Sequence, residues 1–331
     1  MTTPSVRPAR RPDAAATPTA PASVATGRAT GKAILIGEHA VVYGRPAIAL
    51  PLAALAVQAT ASRTDGASRI RSALFSGRLD AAPARLLPTA KAITATLEAL
   101  GHPHLAVDLQ IQSEIPAERG VGSSAAVAAA VVRAVAALVG ATLTGDEEHA
   151  LIQQAERVAH TAPSGLDSHA VRARGPLWFD NGVAEPVAVG RPLCLIVADT
   201  GVAGRTREAV AGVAERRRTD PHAVDAAIDR LGSLTHDARR VLAEGDLDGL
   251  GDVMTQAHGL LSGLGVGDPA LDRLVGASTR AGALGAKLTG GGRGGCALIL
   301  VRDLDHAADV AGSLRAAGAA ATWTTMVEAT P

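Results

Sequence analysis

Aromatic residues are almost missing from this chain: Phe, Trp and Tyr make up 2% of its 331 residues, with a single tyrosine. The core is left to Ala, Val, Leu and Ile, and the stacking platforms on which single-strand nucleic-acid binders depend are nearly absent, which disfavours a base-stacking function. An excess of charge is missing too. Lys+Arg total 32 and Asp+Glu total 32, so no net field draws the chain to nucleic acid or anionic lipid, and specificity must come from a local site. Cysteine is scarce: Cys194 and Cys296 stand far apart, outside any CxxC or Cys/His cluster. That argues against a disulfide framework or a zinc site and points to a reducing compartment, the cytoplasm. The most apolar run, 125–140, is broken by Arg133 and falls short of the ~20 residues a bilayer span needs. No membrane partner is expected.

What is there suggests about two domains, at roughly 150 residues each. Residues 1–26 are rich in Ala, Pro, Thr and Arg and hold one acid, Asp13. Scattered prolines and the lack of an apolar stretch make this a disordered tail rather than a targeting helix. Strand-like runs follow at 32–36, 47–52 and 55–61, then a helix at 86–100, an alternating strand at 105–112 and an Ala/Val-rich helix at 123–139 that is apolar almost all round. Thr144 and Glu147 have capping-box spacing for a helix running to His160, and Pro163-Ser164-Gly165 forces a turn. After strands at 176–180 and 192–199 the pattern turns helical at 206–217, 221–244, 247–264 and 268–281. Strands at 297–301 and 321–327 flank a last helix at 304–316. We place the domain boundary near Gly190, giving units 27–190 and 191–331 of an α+β fold.

Three glycine-rich segments carry the chemistry: 31–44, 116–125 and 287–296. In the second, Gly120 and Gly122 let backbone approach a ligand, and Ser123 and Ser124 open the buried helix, whose free N–H groups and dipole attract phosphate. The plainer reading is an ordinary serine N-cap. The third contains G-x-G-x-x-G but precedes a strand, which rules out a dinucleotide-binding fingerprint, and residues 27–33 lack Walker A spacing. Only Lys32, Lys91 and Lys287 are lysines in an arginine-based chain, and two of them sit in these motifs. A compact ammonium aimed at phosphate explains Lys32, whereas Lys287 fits a structural role equally well. Glu156 and Asp167 are the acidic candidates; His102, His104 and His169 read as surface or helix-end residues. A phosphate cradle, a lysine and two acids together indicate phosphoryl transfer.

At these residues the chain resembles the GHMP kinases, whose three signature motifs the segments match in order and spacing across 27–327. Within that family the run Gly37-Glu38-His39-Ala40-Val41-Val42-Tyr43-Gly44 resembles the mevalonate kinase branch; galactokinases continue Gly-Glu-His with Thr-Asp, and phosphomevalonate kinases usually have Gly-Glu-Tyr. The resemblance implies a two-domain fold, with an N-terminal domain like that of ribosomal protein S5, a ferredoxin-like C-terminal domain with added helices, and a cleft where ATP and mevalonate meet. By the same resemblance Pro116, Gly120, Val121, Gly122, Ser123 and Ser124 wrap the phosphates with Gly290, Gly291 and Gly292, while Ser124 and Glu156 hold Mg²⁺. Asp167 takes the proton from the C5 hydroxyl, with Lys32 beside it and the transferring phosphoryl group. Glu38, His39 and Thr200 are placed on the mevalonate side. Two departures stand out: the family's Ala-Pro-Gly-Lys reads Ala29-Thr30-Gly31-Lys32, and Arg293 replaces a glycine, either to contact a phosphate or to face solvent. The alternatives are a sister kinase such as phosphomevalonate kinase, which needs basic residues for a second phosphate, and a non-catalytic sensor, which would be expected to lose Lys32 or Asp167. Oligomeric state leaves no mark on the sequence, and a homodimer stays open.

Overall fold

The computed structural model describes residues 22–159 and 164–330. Most of the expected tail, together with His160 and Pro163, lies outside the described residues. The order is β1 (Val24–Ile36), β2 (Ala47–Arg63), β3 (Arg69–Ser72), β4 (Phe75–Arg78), α1 (Leu87–Ala99), β5 (Val107–Ser113), α2 (Ser123–Leu138), α3 (Gly145–Ala159), α4 (Leu166–Ala170), β6 (Leu177–Asp180) and β7 (Val183–Pro186). It continues with β8 (Leu193–Asp199), α5 (Thr206–Thr219), α6 (Pro221–Glu244), α7 (Leu247–Gly263), α8 (Pro269–Arg280), β9 (Gly285–Thr289), β10 (Cys296–Val301), α9 (Leu304–Ala316) and β11 (Ala321–Val327). The first seven strands form one sheet, in the order β4-β3-β5-β2-β6-β7 with β1 on β2; the last four form a second, β11-β8-β10-β9. The second sheet is antiparallel throughout. It is a β-α-β-β-α-β unit whose first helical position, between β8 and β9, is taken by four helices, α5 to α8. The chain passes from one sheet to the other between Pro186 and Leu193.

Small residues set how closely the N-terminal layers approach. A Cβ at Gly27 would lie 2.1 Å from the Ala130 carbonyl oxygen, so β1 lies flush on α2, whose facing alanines are buried. This close backbone packing is what an aromatic-poor core permits. Arg133, the one charge in the apolar run, pairs with Glu148 of α3 at 2.6 Å, and Glu148 also holds Arg172 at 3.1 Å. The expected capping box at α3 forms: Glu147 accepts from the Thr144 N–H at 2.8 Å and its own N–H donates to Thr144 Oγ1 at 3.3 Å.

Several sequence expectations need correction. The tail ends sooner than Thr26, because Val24, Ala25 and Thr26 pair with Ser62, Ala61 and Thr60 and Ala25 is buried. The runs at 47–52 and 55–61 are one strand. Pro51 lies opposite Lys32, beside a register shift between Thr30 and Gly31, and such an irregularity accommodates a residue without an N–H. Strands β3, β4 and β7 are four residues each and bury among them only Ile70, too little to leave a period. β9 was hidden by its central lysine, although all five residues are buried. The third glycine segment therefore links two antiparallel strands rather than merely preceding one.

Candidate active site

Helices α6, α7, α8 and α9 each open on an aspartate, Asp220, Asp246, Asp268 and Asp303, whose side chain accepts a first-turn N–H. Helix α2 has no such cap. Its N-cap is Gly122 at φ 73, no side chain caps it, and its first turn holds no acid. The serine N-cap reading is thereby excluded: Ser123 and Ser124 sit inside the first turn, and the free N–H groups remain available to an anion. The only lysine on β1 runs directly beneath this opening. A Cβ on Gly122 would stand 2.7 Å from Lys32 Cγ, and Lys32 Nζ lies 3.4 Å from the Gly120 carbonyl oxygen.

Lys32 is 3% exposed and its ammonium meets Asp167 Oδ1 at 3.0 Å. Asp167 owes its place to its neighbours in α4. Leu166 is buried with Ile34, Ala47 and Phe179, and Ser168 donates to the Gly165 carbonyl at 2.8 Å while accepting from Gln153 of α3 at 2.9 Å. Across the cradle Ser124 Oγ donates to Glu156 Oε1 at 2.6 Å. Burial and the nearby Asp167 charge push the Glu156 carboxyl up to about 7, against smaller opposing effects of Ser124 and Lys32. Among the described residues no three His, Cys, Asp or Glu side chains form a protein-only metal cage. One carboxylate plus a hydroxyl, facing a phosphate cradle, instead suits a hydrated Mg²⁺ shared with phosphate oxygens, and a cation there would favour the ionised form of Glu156.

The Glu156 shift has a testable sign. With its folded pKa raised, the fold binds the proton more tightly than the unfolded chain. The associated stabilisation is full below about pH 4.5 and is lost as pH rises through about 7. Metal-free protein should therefore lose melting temperature between pH 5 and 8, by more than Glu156→Gln does over the same range. Parallel thermal melts in chelator would settle it; equal slopes would remove Glu156 as the cause.

The remaining expected residues are placed as follows. Gly120 (φ 76) packs backbone to backbone on Gly290, where a Cβ would meet the Gly120 carbonyl oxygen at 2.7 Å. Cβ atoms at Gly291 and Gly292 would strike Thr206 and the Val266 carbonyl at 2.4 and 2.2 Å. These glycines thus have a protein-packing reason to lack side chains, beside any ligand. Pro116 is half-buried and Val121 is buried, its carbonyl accepting the Lys32 N–H at 3.0 Å. Glu38 is buried in an ion pair with Lys287. His39 is buried, its pKa lowered by desolvation, and its Nε2 lies 2.9 Å from the Gly291 carbonyl oxygen, which fixes that nitrogen as the donor. Thr200 Oγ1 donates to the Gly295 carbonyl at 2.7 Å. Arg293 follows neither expected course. At φ 55 it turns toward α5, and its guanidinium donates to the carbonyls of Gly265 and Glu208, both at 3.3 Å. His102 and His104 are exposed, whereas His169, at the end of α4, stacks on His149 with centroids 4.1 Å apart; burial and that neighbour lower its pKa to about 4.

Two features escaped sequence reasoning. Arg119 reaches from the loop before α2 to Asp199 at the end of β8, at 2.8 Å, tying that loop to the second sheet. Its only trace in the sequence is an acid closing the apolar run 193–199. The other is the Lys287–Glu38 pair, for which the rarity of lysine was the available signal.

Comparison with known proteins agrees with this layout. The models for the GHMP kinases N terminal domain and GHMP kinases C terminal match residues 88–175 and 238–320. A mevalonate kinase of Thermococcus sibiricus is 36% identical over 88% of this chain and 92% of its own length, and one of Pyrococcus horikoshii is 34% identical over 86% and 92%. The crystal structure of L. major mevalonate kinase in complex with R-mevalonate superposes with TM-score 0.83 at 27% identity, covering 95% of this chain and 99% of that one. With both halves matched and relatives aligned over nearly its whole length, the chain belongs to the GHMP kinase family, as a two-domain, ATP-dependent small-molecule kinase.

Proposed function

We propose that this kinase phosphorylates the C5 hydroxyl of mevalonate, giving 5-phosphomevalonate and ADP. The observation that carries the reading is the Lys32–Asp167 pair set beneath the uncapped start of α2, in a chain whose near-full-length relatives are named mevalonate kinases. Gly120, Val121, Gly122, Ser123 and Ser124 present backbone N–H groups and the helix dipole to the ATP phosphates, against Gly290, Gly291 and Gly292. Ser124 Oγ and Glu156 would hold Mg²⁺, which when bound supplies charge neutralisation on the phosphate oxygens. Asp167 accepts the C5 hydroxyl proton as that oxygen bonds to the γ-phosphorus and the bond from γ-phosphorus to the bridging oxygen of ADP breaks. A carboxylate is a weak base for an alcohol. In a loose transition state the proton leaves late, so positioning and charge stabilisation by Lys32 carry most of the rate.

Glu38, His39 and Thr200 belong to the acceptor side in this reading. The arginines of the two glycine loops both have protein partners, Arg119 with Asp199 and Arg293 with backbone carbonyls. That favours an acceptor without a phosphate of its own over phosphomevalonate. ADP release should be fastest with mevalonate in a panel that includes phosphomevalonate, galactose and homoserine, and should need Mg²⁺. Faster turnover of another member would overturn the acceptor assignment and spare the kinase chemistry.

A further inference from the structure

The turn leaving β1 carries three separate costs to stability within a few residues. Glu38 and Lys287 bury a complete ion pair, with side chains 1% and 0% exposed, and withdrawing two charges from water offsets much of their attraction. Glu38 Oε2 is buried with no hydrogen-bond partner, which leaves part of its desolvation uncompensated. His39 sits at φ 61, a left-handed conformation that disfavours residues with a Cβ. A turn shaped for stability alone would carry none of these. Local costs of this kind persist where the surrounding structure enforces them for a functional site.

The enforcing structure is the second sheet. Lys287 Nζ donates to Glu38, to the Leu288 carbonyl at 2.7 Å and to the Ile34 carbonyl at 3.3 Å, so its three protons are all engaged. Thr289 Oγ1 accepts the Ile34 N–H at 2.9 Å and donates to the Ile34 carbonyl at 3.1 Å. The Gly291 carbonyl takes His39. Alternate residues 287, 289 and 291 thus reach across to 34, 38 and 39, from one sheet to the other. Lys32, whose charge acts on both Glu38 and Lys287, lies at the same end of β1.

We propose that Lys287 is a positioning residue for the phosphoryl acceptor: from the second sheet it fixes the Glu38 carboxylate, and with it the turn 37–39, so that the acceptor subsite is complete only across the docked sheets. This rests on the reading of Glu38 and His39 as acceptor-side residues. A purely structural lysine would do no more than neutralise a buried acid, and its loss would then lower the melting temperature while leaving the mevalonate KM unchanged.

The test compares Lys287→Met, Glu38→Gln and the double variant by melting temperature and by KM for mevalonate and for ATP. Lys287→Met leaves an unpaired buried carboxylate, so it should melt lower and show a mevalonate KM raised about tenfold or more. The double variant should recover most of the melting temperature and show a mevalonate KM no higher than Glu38→Gln alone, because Lys287 acts through Glu38, with the ATP KM within about twofold of wild type. If Lys287→Met fails to fold, Lys287→Gln, which keeps a donor but removes the charge, takes its place with the same rise in mevalonate KM expected. A Lys287 single variant with a lowered melting temperature but an unchanged mevalonate KM overturns the proposal, as does an equal rise in the ATP KM. Failure of the wild-type enzyme to use mevalonate would instead overturn the acceptor assignment, and the same comparison would then be made with the acceptor found in the panel.

Discussion

Asp167→Asn should lower kcat by roughly 10²-fold or more, the usual scale for a positioned general base, while the melting curve barely moves. Stability is spared because what holds α4 lies on either side of Asp167: Leu166 in the apolar cluster, Ser168 bonded to Gly165 and Gln153. Asn keeps the shape and the contact with Lys32 but cannot take the hydroxyl proton. The Lys32 ammonium, 3% exposed, loses its counter-charge but keeps two oxygen acceptors, the asparagine amide and the Gly120 carbonyl, and Asp167 is itself partly open to solvent, which limits the cost. Lys32→Met is the complementary change. It should also be severe in kcat, and it removes the cation facing Asp167 and the Gly120 carbonyl. Steady-state kinetics beside thermal melts check both. Near wild-type turnover in Asp167→Asn with an unchanged melt would move the base elsewhere.

The elements around this pair were legible because they obey local rules. Helix α2 announced itself by an apolar run behind Gly-Val-Gly-Ser-Ser, α3 by its capping box, and α6 to α9 by their periodic segments. Lys32, Ser124, Glu156 and Asp167 were readable through their motifs, and the structure brings them together in two bonded pairs. What the sequence concealed was long-range. β9 reads as a broken apolar run because Lys287 finds its partner 249 positions away, and no local window contains both. Arg119 meets Asp199 across 80 positions, and the guanidinium of Arg293 is claimed by carbonyls of α5 and of the loop after α7. The glycines of the third motif have a second reason for their missing side chains that the sequence did not show. In one dimension, missing side chains next to a suspected nucleotide suggest approach by ligand; in three, much of the space is filled by the chain's own backbone.

The same close packing makes Gly122→Ala a sharper probe than its size suggests. Gly122 is at φ 73, and an alanine there costs ~1–2 kcal/mol from conformation alone. It also brings a Cβ to 2.7 Å from Lys32 Cγ, in the middle of a buried side chain with little room to swing aside. Either the loop lifts from β1, breaking the Lys32 N–H bond to the Val121 carbonyl, or the ammonium leaves Asp167. Each outcome displaces phosphate cradle and catalytic pair relative to one another, and misplacement by about 1 Å can cost on the order of 10² in rate. Gly101→Ala isolates the conformational part: Gly101 has φ 77, and its Cβ would meet nothing within 4 Å. Both variants should therefore lose stability of that ~1–2 kcal/mol order, while only Gly122→Ala should lose kcat/KM for ATP by about 10²-fold. Equal activity in the two would mean that the loop yields to the extra methyl group, and that contact between cradle and lysine does not set the geometry for transfer.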